Sequence, residues 1–85
     1  MAGPTMNEPR DDFRLLTRRE RDVLLAMMEG CSARDICRRS YLSMPTVRSH
    51  IRSILRKLGV SSQLAAVARA YRADWPGVDD RRASA

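Results

Sequence analysis

Apolar residues recur at helical spacing in four stretches of the chain, separated by short connections rich in glycine, serine or proline. The first stretch opens with Thr17, and Glu20 follows three residues later, which predicts a capping box at a helix start. Gly30, which tolerates a left-handed backbone, predicts where this helix ends. The pattern predicts a first helix over roughly 18–29, with one apolar stripe formed by Val23, Leu24, Met27 and Met28.

Serine residues introduce the later stretches. Ser32 is a candidate N-cap, and Asp35 in the following turn favours the positive end of a helix dipole. These signals predict a short second helix over roughly 33–39. A fourth helix is expected to begin after residue 61 or 62 and to reach about residue 71 or 72, with an inner stripe of Ala66, Val67 and Ala70.

The third stretch carries the strongest helical pattern. Ser43 is its candidate N-cap, Pro45 lies in the first turn where a missing N–H is tolerated, and Gly59 ends it. The predicted third helix runs from about 44 to 58. At about 100° per residue, its apolar residues define one buried face: Val47, Ile51, Ile54, Leu55 and Leu58.

The expected fold class is therefore all-α, a four-helix bundle. A turn of the length found in helix-turn-helix units joins its second and third helices. We predict a flexible N-terminal arm over 1–13, a folded domain over 14–72 and a flexible C-terminal tail over 73–85, because glycine and proline punctuate both ends. Trp75 either packs the tail onto the fourth helix or belongs to a partner site; the sequence leaves both open.

Charge is concentrated in the predicted domain. The 85 residues carry a net charge of +6, but residues 14–72 hold 13 basic and 4 acidic residues. Such a surface attracts polyanions, which makes nucleic acid the first partner to consider, although arginines also solvate helix surfaces. The longest apolar run has six residues, too short for a membrane span or a signal-peptide core. We therefore expect a cytoplasmic protein, associated with the nucleoid when bound.

The outer face of the third helix supplies the chemistry for such a partner. Opposite the apolar stripe lie Pro45, Ser49, Arg52 and Arg56, flanked by Arg48. Arginine can donate two hydrogen bonds to guanine O6 and N7, and small hydroxyl residues allow close approach to the major groove. Each arginine alone could be a solvated charge, but their grouping on one face favours nucleic-acid recognition.

Residues 16–70 resemble the LuxR-type (GerE-type) helix-turn-helix domain of bacterial response regulators and quorum-sensing regulators. The resemblance covers about 55 residues, nearly all of the predicted domain, and is carried by Leu16, Thr17, Arg19, Glu20, Val23, Leu24, Gly30, Ser32, Ile36, Leu42, Ser43, Thr46, Val47, His50, Ile51, Ile54, Leu58, Gly59, Val60, Ala66 and Val67.

The resemblance implies double-stranded DNA as the partner and a third helix that enters the major groove. Position by position, it assigns base contacts to Arg48, Ser49 and Arg52. The predicted phosphate contacts, from the resemblance and from position on the helix, are Ser32, Arg34, Thr46, His50, Arg56 and Lys57. In the family the fourth helix pairs with its symmetry mate, which places a homodimer seam at Leu64, Ala65, Ala68 and Tyr71; its alanines suggest pairing only on DNA.

The sequence departs from the family at the start of the third helix and at two cysteines. Met44 and Pro45 replace residues that are usually polar or acidic, which stiffens the entry to the recognition helix. Cys31 and Cys37 stand where an aliphatic residue and alanine are usual. They are either a redox pair or small buried apolar residues, and the second interpretation is preferred. His50 either touches phosphate or packs against the helix.

No metal, cofactor or catalytic role is predicted. One histidine and two cysteines cannot complete a four-ligand zinc site, and no Ser, Cys or His has an evident orienting group for catalysis. The expected function is sequence-specific DNA binding by a dimeric transcription regulator that reads an inverted repeat. Two alternatives are a protein-interaction module that docks on another regulator or on RNA polymerase, and a promoter-binding domain similar to sigma-factor region 4.

Overall fold

The computed structural model describes residues 12–75, and this part of the chain contains four helices and no strand. They are α1 (Arg18–Met28), α2 (Ala33–Ser40), α3 (Met44–Leu58) and α4 (Gln63–Arg72). Each boundary agrees with the sequence prediction to within a residue, and the all-α class is confirmed. None of these helices is long and apolar enough to cross a membrane.

All four helices begin at a hydroxyl side chain. Thr17, Ser32, Ser43 and Ser62 each accept a hydrogen bond from the backbone N–H three residues later. At the first two, the acidic side chain at that third position also accepts from the cap's own N–H, which completes a capping box. The predicted caps of α1, α2 and α3 are therefore confirmed, because capping depends only on neighbouring residues.

The four helices also end alike. Just beyond each helix lies a residue with positive φ, and the next residue is apolar and partly or fully buried. The amide of that apolar residue donates to a carbonyl five residues earlier, as in a Schellman motif. The positive-φ residues are Gly30, Tyr41, Gly59 and Asp74. The apolar residues after them are Cys31, Leu42, Val60 and Trp75, and all four pack against the core.

The core lies where α1 meets α3 and α4, and α2 closes it by packing on α3. Its least exposed side chains come from all four helices, and they include Leu24, Ile36, Ile54 and Ala66, each at most 1% exposed. The predicted stripes are confirmed, with Leu55 and Val67 partly buried at their edges. The fold thereby fixes which side of α3 faces inward.

The packed unit extends past the boundaries predicted from the sequence. Phe13, predicted to lie in the arm, is 4% exposed, and Trp75, predicted to lie in the tail, is 2% exposed. Their rings stack with centroids 5.5 Å apart, and the Asp12 carboxylate forms an ion pair with Arg69 of α4. The question of Trp75 is thus settled in favour of packing. Residues 1–11 and 76–85, the rest of the predicted arm and tail, lie outside the described residues.

Candidate nucleic-acid interface

One side of helix α3 is buried in the protein, and the other side is exposed and basic. Val47 and Ile54 are completely buried. Arg48, Ser49 and Arg52, the predicted base contacts, are all exposed on the other side of the helix. The three form one continuous surface, called here the recognition face. The structure therefore brings the predicted base-reading residues together on the part of α3 that is free to meet a partner.

The start of α3 is capped by a serine and presents a hydroxyl group. Ser43 caps the helix and donates its hydroxyl hydrogen to Thr46 Oγ1 at 2.9 Å. Thr46 is exposed, and because its oxygen accepts this bond, its own hydroxyl hydrogen remains available to a partner. Pro45 is exposed in the first turn, while Met44 is half-buried with its sulfur 3.9 Å from Cys37 Sγ. Both departures from the family are thus accommodated without disturbing the helix.

A groove of about 410 Å³ runs beside the recognition face. Arg48 and Arg52 line one wall, and Ala33 and Gln63, the first residues of α2 and α4, line the rest above an apolar floor of Ile51 and Leu55. Helix α2, the first helix of the helix-turn-helix, therefore begins next to the arginines of α3. Ser32 and Arg34, two of the predicted phosphate contacts, flank Ala33 in the chain, and both are exposed.

The other predicted phosphate contacts on α3 differ in how free they are. Arg56 is exposed and donates only a long bond of 3.5 Å to Ser53. His50 is half-buried at the edge of the apolar stripe, so the structure leaves both interpretations of it open. Lys57 is engaged within the protein: its Nζ lies 2.8 Å from Glu20 Oε1, and its side chain is only 25% exposed.

The Glu20–Lys57 ion pair joins the start of α1 to the end of α3. Burial of Glu20 raises the pKa of its carboxyl group, but hydrogen bonds from Lys57, the Thr17 backbone and the Ser53 hydroxyl outweigh this effect. The pKa is thereby lowered from 4.5 to about 2. A single oxygen, Oε1, accepts from both the Thr17 N–H and the Lys57 ammonium, so one carboxylate caps α1 and anchors α3.

The predicted seam on α4 lies on the outside of the domain. Leu64 is 79% exposed and Tyr71 is 55% exposed, while Ala65 and Ala68 are half-exposed between them. The Tyr71 hydroxyl donates to the Met28 carbonyl oxygen at 2.8 Å, which fixes the orientation of the ring. An exposed leucine and tyrosine on one helix form an apolar surface, although the structure contains a single chain.

The two cysteines are free and half-buried. Cys31 is the apolar residue that follows the left-handed Gly30 at the end of α1, and its sulfur accepts a hydrogen bond from Arg39. Cys37 packs against Met44. Both pack against the core, which agrees with their interpretation as small apolar residues. Within residues 12–75, no cluster of three or more His, Cys, Asp or Glu side chains could hold a metal.

Three features were missed by sequence reasoning: the Phe13–Trp75 stack, the Glu20–Lys57 pair and the exposure of Tyr41, which reaches 95%. The last of these had a signal in the sequence. Tyr41 stands where a helix ends, and such a position favours glycine or asparagine. A bulky residue at this position indicates either backbone strain or a functional contact made by its side chain.

The order of elements, the short turn between α2 and α3 and the exposed basic side of α3 define a helix-turn-helix protein. Residues 14–70 match the GerE family, described as bacterial regulatory proteins of the luxR family. Because this match covers most of the chain, the protein belongs to that family.

The chain is similar to several bacterial regulatory proteins. It is 38% identical over 68 residues to the transcriptional regulatory protein DegU of Brevibacillus brevis, covering 80% of this chain and 29% of DegU. It is 46% identical over 56 residues to the nitrate/nitrite response regulator NarP of Escherichia coli strain K12, covering 66% of this chain and 26% of NarP. For the response regulator VraR of Staphylococcus saprophyticus, the identity is 33% over 66 residues, covering 78% and 32%. The chain thus spans less than a third of the length of each.

Proposed function

We propose that this protein binds double-stranded DNA in a sequence-specific manner and regulates transcription. The observation that carries the proposal is the recognition face: Arg48, Ser49 and Arg52 are exposed together on a helix whose opposite side packs into the core. Membership of a family of bacterial regulatory proteins supports the regulatory role. A protein that acts on chromosomal DNA in this way works in the cytoplasm, at the nucleoid.

In the proposed complex, α3 lies in the major groove and its first half reads base edges. The guanidinium groups of Arg48 and Arg52 donate to guanine O6 and N7, and Ser49 allows the helix backbone to approach closely. The side of the helix that carries Ile51 faces the protein core, because Ile51 is only 5% exposed. Contacts with the DNA backbone on either side of α3 then set the orientation of the helix in the groove.

Phosphate contacts surround the recognition face. Ser32 and Arg34 approach from the start of α2, and Thr46 donates its free hydroxyl hydrogen at the start of α3. Arg56 and His50 continue the contacts along α3. Lys57 contributes less to phosphate binding, because its ammonium group is already paired with the buried Glu20 carboxylate.

We infer a dimer on an inverted repeat, formed through α4. The seam combines two half-exposed alanines with the exposed side chains of Leu64 and Tyr71, which suits an isologous apolar contact. Its apolar area is modest. Pairing is therefore expected to depend on DNA, which holds two copies in register.

The test combines a salt titration with a selection. Affinity for a random-sequence duplex is measured against salt concentration, and sites are then selected from a randomised DNA pool with the same protein. A log–log slope near −0.9 for each phosphate neutralised, with enrichment of an inverted repeat, is the expected result. A steep slope without enrichment contradicts sequence reading. Absence of duplex binding at moderate salt contradicts the whole proposal and favours a protein-docking module.

A further inference from the structure

Tyr41 is unusual among the residues that end the helices of this domain. Its φ is 57° and its side chain is 95% exposed. Two of the other three helix ends use glycine in this conformation and one uses aspartate, which tolerates it better than an aromatic residue does. Neither burial nor backbone preference accounts for a tyrosine here, so its presence points to a contact with something outside the chain.

Tyr41 continues a stripe of cations along α2. Arg34 and Arg38 are spaced four residues apart, which places them on one side of the helix, opposite the buried Ile36, and Tyr41 directly follows the last helical residue. Both arginines are exposed, and neither takes part in a hydrogen bond or ion pair with another described residue. Arg38 does act at longer range: hydrogen bonds from Ser32 do most to lower the pKa of Asp35, and the charge of Arg38 lowers it further.

This stripe, called here the α2 stripe, borders the side of α2 that meets α3. Ala33 shares the groove with Arg48 and Arg52, and Cys37 contacts Met44 at the start of α3. The Arg39 side chain, by contrast, lies on the side of α2 that faces α1 and pairs with Glu29 at the end of that helix. The α2 stripe therefore lies between the side of α2 that meets α3 and the side that meets α1.

We propose that Arg38 and Tyr41 are further DNA-backbone contacts, which extend the path of phosphate contacts from Arg34 along the whole of α2. In this arrangement the Arg38 guanidinium pairs with a phosphate, and the Tyr41 hydroxyl donates to a neighbouring phosphate oxygen while its ring packs on the deoxyribose. The occupant follows from charge and shape: unpaired cations and a projecting phenol suit a polyanionic ridge beside the major groove. This inference rests on the proposed function.

The first experiment compares two arginines of equal charge and similar exposure. Duplex affinity is measured by fluorescence anisotropy against salt for the full chain, for Arg38→Ala and for the control Arg18→Ala. Arg18 is exposed in the first turn of α1, opposite the buried side of that helix. Arg38→Ala is expected to reduce the magnitude of the log–log slope by about 0.9, which corresponds to about an eightfold loss at 0.1 M salt. Arg18→Ala is expected to leave the slope unchanged.

The second experiment separates the hydroxyl of Tyr41 from its ring. Tyr41→Phe is expected to weaken binding about threefold, the effect of one lost hydrogen bond, and Tyr41→Asn to weaken it further. Asparagine accommodates a positive φ, so thermal unfolding should show Tyr41→Asn to be at least as stable as the unaltered chain. A weaker binder that is not less stable would locate the loss in the contact and not in the fold.

The outcomes distinguish this inference from the proposed function. If the unaltered chain binds duplex with a steep salt slope but Arg38→Ala and Tyr41→Asn bind equally well, the α2 stripe is not a DNA surface and the inference fails alone. A slope that falls equally in Arg38→Ala and Arg18→Ala also overturns it, because the effect is then one of net charge. If the unaltered chain does not bind duplex, the proposed function itself fails.

Discussion

The two halves of α3 carry cations that the fold treats in opposite ways. In the first half, Arg48 and Arg52 are exposed, and no described residue pairs with either. In the second half, Lys57 is three-quarters buried and held at 2.8 Å by Glu20. The charge is the same, but only the second has a buried carboxylate opposite it. Position on a basic helix therefore does not decide whether the fold holds a cation in place. The presence of a buried carboxylate next to the cation decides it.

The largest expected effect concerns Lys57. Lys57→Met leaves Glu20 buried without its countercharge and should lower the free energy of unfolding by about 3 kcal/mol in urea denaturation. Arg52→Met, the matched change at an exposed arginine, should stay within about 0.5 kcal/mol. The double variant Glu20→Gln/Lys57→Met should lose less than the sum of the single variants. Equal stability of the two methionine variants would remove the contrast between the halves of α3.

The acid dependence of stability sharpens the same contrast. Since the folded pKa of Glu20 is about 2, below its ordinary 4.5, the ionised carboxylate stabilises the fold above pH 4.5. That stability, up to about 3 kcal/mol, is lost as the pH falls from 4.5 to 2. Unfolding measured over pH 2–6 should show this loss in the unaltered chain and a shallower dependence in Glu20→Gln. A dependence of the same steepness in both would assign acid sensitivity to other carboxylates, including Asp35, whose pKa the Ser32 backbone N–H lowers.

Arg52→Ala tests the first half of α3. It should cost about 1 to 3 kcal/mol on the selected site and relax the preference at one base pair, with stability almost unchanged. Competition binding against single-base variants of the site measures both effects. A uniform loss on every sequence would show that Arg52 contacts phosphate, and the division between base and backbone contacts would then be wrong.

The smallest effect is expected at Arg56. This residue lies in the second half of α3, but it is exposed like the arginines of the first half. It is exposed and only weakly bonded to Ser53. Arg56→Ala should weaken specific and random duplexes alike, by about 1 kcal/mol at 0.1 M salt, and should reduce the magnitude of the salt slope by about 0.9. Loss on the specific site alone would move Arg56 into the group of base contacts.

Features set by neighbouring residues could be predicted from the sequence. Thr17, Ser32 and Ser43 cap their helices by bonding amides three residues away, and apolar spacing fixes which side of each helix is buried. The helix boundaries followed for that reason. The exposure of Arg48 and Arg52 followed in turn, because the opposite side of α3 had to be buried.

Features that join distant residues could not be predicted in this way. Glu20 and Lys57 are 37 positions apart, and no local rule says which cation a capping carboxylate will also meet. Phe13 and Trp75 lie at opposite ends of the described segment, so each appeared as a single aromatic residue in a polar stretch. Their contact depends on the packing of α1 against α4, which only the folded chain determines.

The Phe13–Trp75 stack has a mechanical consequence. Because the two rings touch, residues 12 and 75 leave the domain at one place, and the Asp12–Arg69 ion pair adds a second fastening there. A pull applied between these two ends of the described segment therefore acts first on the ring stack and the ion pair.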